Sequence, residues 1–463
     1  MSPSGIRWNS MIRSRLSAMR LEVILVIGLV LRESLSFWTG HPYDSEVWIR
    51  NAVYVSRGIS PYSFMDPIPG LSFAFLNQTL PSVGYPPLWS LLLAGLYRLF
   101  AILPTDNRFV FYFLLKQPPI LGDVFLGYAA YRAVLRWGGP AESARKVLVF
   151  WMLFPYPILI SAVWGQFDAL VSFVWIASLL MIRPLRRSAL EGLAILLKLF
   201  PLIFVPYYII RDRGTTKLRQ IVTLGIPAAF TAASFLLGGW GIDPFQGTLV
   251  YGARGVPLGM TILGVVFSPD LLSIFPGIEP AFAVVGWLWV PAVVVAGILA
   301  ARRFSRETPQ GLVQAMLFVT VVFFLFRSQV YEQYLLYLLP PLLLDVTLWH
   351  PERAGLFRVT WILGLGYLLF NNDFLLRFVI PVFPAAEQYS YALDNNSAFG
   401  PMRGIVLMVL AVSFAIHLVQ LGFVLMDERR NPKPWFVRAV QWLAGAKRAA
   451  EEVGGPRAGD SPR

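Results

Sequence analysis

The chain has 463 residues, 56% of them hydrophobic and only 14% charged, with a mean hydropathy of +0.61. That composition excludes an ordinary soluble enzyme, for which roughly 25% charged residues and under half apolar are expected, and the absence of cysteine excludes disulfides, thiolate metal sites and a cysteine nucleophile. The net charge of +13 invites a nucleic-acid reading, but most basic residues fall in short runs between apolar stretches, the pattern of cytoplasmic loops, so no nucleic-acid partner is expected.

Residues 1–20 carry Arg7, Arg13, Arg15 and Arg20 and no acidic residue, and the stretch from Val23 to Trp38 is largely apolar, interrupted by Arg32 and Glu33. The N-terminus is therefore expected to be cytoplasmic. No convincing small-x-small cleavage site follows, so the first span is read as retained. An amphipathic stretch, Thr39 to Tyr85, comes next, and then apolar segments at 86–103, 110–130, 147–163, 167–182, 189–210, 220–240, 280–301, 311–326, 333–348, 357–375 and 402–425. With the first, these give about twelve candidate spans. The expected fold is all-α, a polytopic transmembrane helix bundle whose first outer loop, 39–85, carries interfacial helices. Residues 21–240 form a first membrane module, 241–425 a second, and 426–463 a basic, partly disordered cytoplasmic tail in which Phe436, Val440 and Leu443 recur on one helical face.

The second half obeys the charge rule. Arg211/Arg213/Lys217/Arg219, Arg302/Arg303/Arg306 and Arg353/Arg358 alternate with less basic loops, which places 241–279, 327–332 and 376–401 outside. In the first half strict alternation puts Arg132/Arg136/Arg145/Lys146 and Arg183/Arg186/Arg187 outside, against the rule. Either packing overrides the bias and every segment spans, the preferred reading, or the proline-interrupted segments 110–130 and 189–210 turn back within the membrane.

The chemistry-bearing residues follow in the same order. Asp44 and Glu46 open the outer loop, with Arg50 after them. They form a candidate acidic site, although Asp44 also suits the cap of an interfacial helix bearing Trp48, Ala52 and Val55. Tyr85-Pro-Pro fixes the start of the next segment. Lys116 and Asp123 put opposite charges on one helical face at membrane depth, where ionisable groups cost about 2.5–3.5 kcal/mol each and default to function, or else make a neutralising contact within the bundle. Gln166 and Asp168 lie in a loop-free turn, as catalytic groups or as cap and backbone partner. Lys198 precedes Pro201, and the outer run Arg327-Ser-Gln-Val-Tyr-Glu-Gln-Tyr334 offers a guanidinium able to grip a phosphate or cap the preceding helix.

In this order Asp44-x-Glu46, Tyr85-Pro-Pro, Lys116-x-Pro with Asp123, Gly165-Gln-Phe-Asp168, Lys198-x-x-Pro201 and the polar outer run before Tyr334 resemble the GT-C superfamily of membrane glycosyltransferases. The likeness covers roughly residues 15–345. It is nearest to polyprenyl-phosphate-mannose-dependent bacterial mannosyltransferases, GPI mannosyltransferase I and the dolichol-phosphate-glucose glucosyltransferases. The resemblance implies an inverting transfer of a hexose, with mannose the expected sugar, from a polyprenyl-phosphate donor to a glycan or glycolipid acceptor on the extracytoplasmic face of the cell membrane. Asp44 maps onto the catalytic carboxylate and Glu46 onto a nearby acidic position.

Arg50, Lys116, Asp123, Gln166, Asp168, Arg327, Gln329 and Tyr331 are the candidate substrate and phosphate contacts. No cofactor or metal is expected, since the lipid-linked sugar is a substrate. The glucosyltransferases read Val-His-Glu where this chain has Val330-Tyr331-Glu332, so the role of that histidine has no counterpart here. The rival readings are a transporter or lipid-linked-glycan flippase, and a non-catalytic subunit.

Overall fold

The computed structural model describes residues 20–73, 75–81, 83–211, 216–242, 245–246, 258–427, 433–435 and 437. The basic N-terminal segment and most of the tail, including Phe436, Val440 and Leu443, lie outside them. The longer helices are α1 (Leu21–Ser36), α2 (Pro42–Ser56), α3 (Pro87–Ala101), α4 (Arg108–Arg136), α5 (Ala141–Leu153), α6 (Asp168–Leu179), α7 (Pro184–Leu197), α8 (Val205–Arg211), α9 (Thr216–Gly238), α10 (Trp289–Arg303), α11 (Pro309–Phe326), α12 (Leu339–Leu348), α13 (Ala354–Asn371) and α14 (Phe399–Met426). The β structure among the described residues is minimal: Leu258–Gly259 (β1) pairs in parallel with Gln329–Val330 (β2). Gly259, at φ 84°, is required there because a Cβ would sit 2.2 Å from the Val330 carbonyl oxygen.

Six helices among the described residues are long and apolar enough to cross a membrane: α4, α9, α11, α14 and the stretches Phe282–Arg303 and Pro351–Asn371. Ala141–Leu153 and Pro155–Trp164, bent by 43° at Phe154, make a seventh if taken as one span. The remaining apolar segments form shorter helices, among them Pro87–Ala101, Asp168–Leu179 and Phe200–Ile210. Lipid-facing positions read as such: Val26, Val30, Leu236, Leu237 and Val409 are more than half exposed, as expected where hydrocarbon rather than water surrounds the bundle.

Side-chain contacts show which end of the bundle each helix reaches. The Ser36 carbonyl at the end of α1 meets Lys116 near the start of α4, and Trp137 just past α4 stacks on Trp349 at the opposite end. The chain returns through α5 to Trp164 beside His41, leaves through α6, and comes back along α7 to Lys198, which bonds Asp168 at the start of α6. Two differences from the sequence reading follow. Segment 86–103 keeps both ends at the Asp44 end, with Tyr85 near Asp44 and Phe100 against Phe111. Segment 189–210 folds back on itself, because Lys198 leaves the helix at φ −155° and the chain then descends through Phe200–Phe204 and α8 to Tyr208, beneath Arg306. Segment 110–130, despite Pro118 and Pro119, is part of one continuous helix. With this path the 132–146 and 183–187 basic clusters join 219, 302–306 and 353 at the end away from Asp44, and the conflict with the charge rule disappears.

Ion pairs lie buried inside the bundle. Arg32 and Asp123 are wholly buried at 2.7 Å. Trp151 Nε1 (2.8 Å) and Ser161 Oγ (2.7 Å) also donate to the carboxylate, and the Gly28 and Met152 carbonyls accept from the guanidinium. Asp345 and Arg353 make a second buried pair at 2.9 Å. Complete hydrogen bonding of this kind is what makes a buried pair tolerable.

Candidate active site

Asp44 lies in the first turn of α2, the helix that Pro42 starts and His41 caps, with Nδ1 of His41 accepting from the Asp44 N–H at 3.4 Å. Its carboxylate is 24% exposed. Oδ2 accepts from Trp164 Nε1 at 2.6 Å and from Gln166 Nε2 at 2.8 Å. The His41 Nδ1 contact, at 3.5 Å, falls on the same oxygen. Oδ1 is thereby left without a protein partner among the described residues. Burial lowers the His41 pKa, opposed by the Asp44 charge, and an Nδ1 that accepts a hydrogen bond carries no proton, which leaves the ring neutral. The His41–Asp44 contact is therefore not an ion pair.

The Trp164 and Gln166 donors reach Asp44 because the backbone turns sharply between them. A π-helical turn, Leu159–Trp164, ends at Gly165 with φ 92°, a conformation that a residue with a Cβ adopts only under strain. Lys116 holds the turn in place. Its Nζ donates to the Ser36 (3.0 Å) and Ala162 (2.8 Å) carbonyls and to the Thr39 carbonyl, which ties the end of α1 to the end of the π-helix.

A second buried cation, Lys198, is paired with Asp168. Lys198 Nζ bonds Asp168 Oδ1 at 2.7 Å, with side chains 5% and 0% exposed, and lies 4.8–5.1 Å from the ring centroids of Tyr334, Tyr85 and Phe167. Such an enclosure retains a buried ammonium through one full charge and several ring faces. The Asp44, Asp168 and Lys198 charges all act on the Tyr85 hydroxyl, so both carboxylates lie within electrostatic reach of that ring.

The outer run completes the surroundings. Arg327 lies over the Trp289 ring at 5.3 Å, and Gln329 Nε2 donates to the Tyr331 hydroxyl at 2.8 Å. Glu332 is wholly buried; Oε1 accepts from Asn371 at 2.8 Å, while Oε2 has no hydrogen-bond partner among the described residues. Burial, with a smaller push from the Asp44 charge, raises its pKa to about 7. In the unfolded chain this carboxyl ionises near pH 4.5, so between about pH 4.5 and 7 the folded state holds the extra proton and stability falls as the pH rises. Glu332→Gln removes that dependence. Thermal unfolding of the purified protein from pH 5 to 8 should show a smaller fall in Tm for the variant than for the wild type, and parallel curves would show that Glu332 does not titrate in this way.

Beyond α13 the chain turns back over the site through Asp373, Phe374 and Leu375, all at positive φ. Arg377, bonded to Asp373 (2.8 Å) and Asp394 (2.9 Å), projects its charge onto His41.

The structure thus gathers Asp44, Gln166, Asp168 and Tyr331 around one region, with Arg327 at its edge. Glu46 and Arg50 stand apart. Both are wholly buried, paired at 2.6 Å; Glu46 accepts from the Phe73 N–H at 2.9 Å, and Arg50 donates to the Met65, Gln78 and Leu76 carbonyls. They brace the outer loop. Asp123 belongs to the Arg32 pair deeper in the bundle. His41, Trp164, Tyr85, Glu332 and Arg377 join the site without having been singled out as contacts. Only Tyr85 and Glu332, within the motifs, left a sequence signal. Among the described residues no group of three His, Asp or Glu side chains is spaced to hold a metal ion.

The family model of glycosyltransferase family 87 matches residues 84–328, more than half of the chain. The match takes in Lys116, Gln166, Asp168, Lys198 and Arg327, and begins after Asp44. No curated protein matches the chain.

Proposed function

The chain belongs to glycosyltransferase family 87, and from that premise we propose that it transfers a hexose, mannose by preference, from a polyprenyl-phosphate donor to a hydroxyl of a glycan or glycolipid with inversion at the anomeric carbon. The carrying observation is Asp44: a carboxylate about a quarter exposed and fixed through Oδ2 by Trp164 and Gln166, with Oδ1 available to an acceptor hydroxyl.

In this reading Oδ1 takes the acceptor proton as the acceptor oxygen attacks the anomeric carbon. The bond from that carbon to the phosphate oxygen breaks on the opposite face, and polyprenyl phosphate leaves with its P–O bonds intact. General-base assistance of this kind contributes about 10²–10⁴-fold. The developing phosphate charge faces Lys198, Arg327 and Arg377, which act by preorganised attraction. Arg50 and Lys116 are engaged by backbone carbonyls, and we assign them to supporting the loop and the turn.

The gathering of basic loops at the far end supports an extracytoplasmic site and cytoplasmic termini. The short helices α6, α7 and α8 complete the crossings beside the six longer ones in this reading. A transporter would expose its intramembrane charges along a pathway, whereas Arg32 and Asp123 satisfy each other. The donor assignment is tested by giving the reconstituted chain a polyprenyl-phosphate hexose or the corresponding nucleotide sugar. Product should form from the lipid donor alone, and equal use of the nucleotide sugar would overturn it.

A further inference from the structure

At the end of the bundle away from Asp44, a cavity of about 1070 Å³ opens where α7, α8, α9 and α10 converge. Among the described residues four arginines, Arg187, Arg219, Arg302 and Arg306, line it against one carboxylate, Glu307. The transfer site stands at the other end of α7, whose 14 residues span about 20 Å at 1.5 Å per residue.

The charge is built into the wall. Arg306, 6% exposed, reaches Glu191 at 3.5 Å and lies 4.2 Å over the Tyr208 ring, while Thr223 donates to Glu191 at 3.3 Å. That arrangement fixes one guanidinium at the floor. Arg187 spends one terminal nitrogen on the Met181 carbonyl at 3.2 Å, and its Nε is buried with no hydrogen-bond partner among the described residues. A buried donor without an acceptor is costly, and a guanidinium's fork matches the oxygens of a phosphate. The rim is apolar on one side, where Ile182 and Ile210 are 80% and 37% exposed. A lipid whose headgroup enters the cavity would lay its chains there.

We propose that this cavity binds a phosphate-bearing anion, with the headgroup of an anionic lipid of the adjacent leaflet as its main source. The arginines neutralise the phosphate while Ile182 and Ile210 meet the acyl chains. The site is independent of sugar transfer, and a failure of either assignment leaves the other standing.

The test uses the full chain in neutral detergent, titrated with phosphatidylglycerol, phosphatidylcholine or inorganic phosphate, with binding read by native mass spectrometry and by Tm. Wild type should prefer phosphatidylglycerol to phosphatidylcholine by about tenfold or more, and Arg187→Gln/Arg302→Gln should lose that preference, on the scale of a few-fold per basic residue. Stabilisation by inorganic phosphate that the double variant abolishes, without any lipid preference, would keep the anion site and assign it to free phosphate. Equal binding of both lipids together with no response to phosphate, or phosphatidylglycerol binding unchanged in the double variant, would overturn the proposal. If the double variant does not fold, Arg302→Gln alone, at an exposed position, should weaken phosphatidylglycerol binding several-fold, and unchanged binding would again overturn it.

Discussion

Asp44→Asn should lower the turnover of sugar transfer by about 10²–10⁴-fold while leaving Tm within a few degrees of wild type. The amide oxygen of asparagine can take both N–H bonds that Oδ2 receives from Trp164 and Gln166, so the geometry at the start of α2 survives. What is lost is the ability to accept the acceptor's proton. Because the residue contacts the acceptor rather than the donor phosphate in this account, donor KM should move little against the fall in kcat. Activity near wild type would remove Asp44 from the role of base. A collapse of stability matching the loss of activity would show that it acts mainly as a structural cap.

Lys198→Met should destabilise the protein by about 3–5 kcal/mol, the usual consequence of leaving one member of a buried pair uncompensated. Asp168 is 0% exposed, and among the described residues no donor meets hydrogen-bond geometry at its Oδ2. Removing the ammonium therefore strands a full charge beside the rings of Tyr85, Phe167 and Tyr334. Asp168→Asn/Lys198→Met removes both charges together and should recover most of the lost stability, since a neutral pair in the same space carries no comparable desolvation cost. Turnover should not recover, because the cation facing the donor phosphate is still absent. Unfolding and transfer measured on the single and double variants separate the two roles. Recovery of both quantities in the double variant would reduce Lys198 to a structural counter-ion.

Much of the architecture was legible in the chain: apolar runs punctuated by prolines and basic clusters read directly as a helical membrane bundle. The course of two segments was not. Segment 86–103 is as apolar as a span, and what keeps both its ends on one side is tertiary: Tyr85 lies near Asp44, and Phe100, in the last turn of α3, packs against Phe111. Segment 189–210 looked like one proline-interrupted span because hydropathy does not register a reversal; the bond between Lys198 and Asp168 does.

The site divides the same way. Asp44 was visible from its place at the head of the outer loop and from the motif order around it. Glu46 and Arg50 looked like chemistry but sit one helical turn apart, the spacing of a local ion pair, and the loop carbonyls that claim Arg50 come from 15–28 residues further along. Lys116 was expected at the phosphate and instead gathers carbonyls that no residue pattern announces. Asp123 shares a face of α4 with Lys116, and a neutralising contact within the bundle was one of its two readings; that the contact is Arg32, from another helix 91 residues away, no local pattern shows. Trp164 could not be distinguished from an interfacial aromatic until Gly165 turned its indole N–H toward Asp44.

The most direct test of the transfer reading is the stereochemistry of the product made by the full chain in liposomes with no ion gradient. The chain would be supplied with a polyprenyl-phosphate mannose of defined anomeric configuration and a glycolipid acceptor. The account predicts a mannosylated glycolipid whose new linkage is wholly inverted at the anomeric carbon. A retained configuration, or movement of the labelled donor across the bilayer without any glycolipid product, would contradict it.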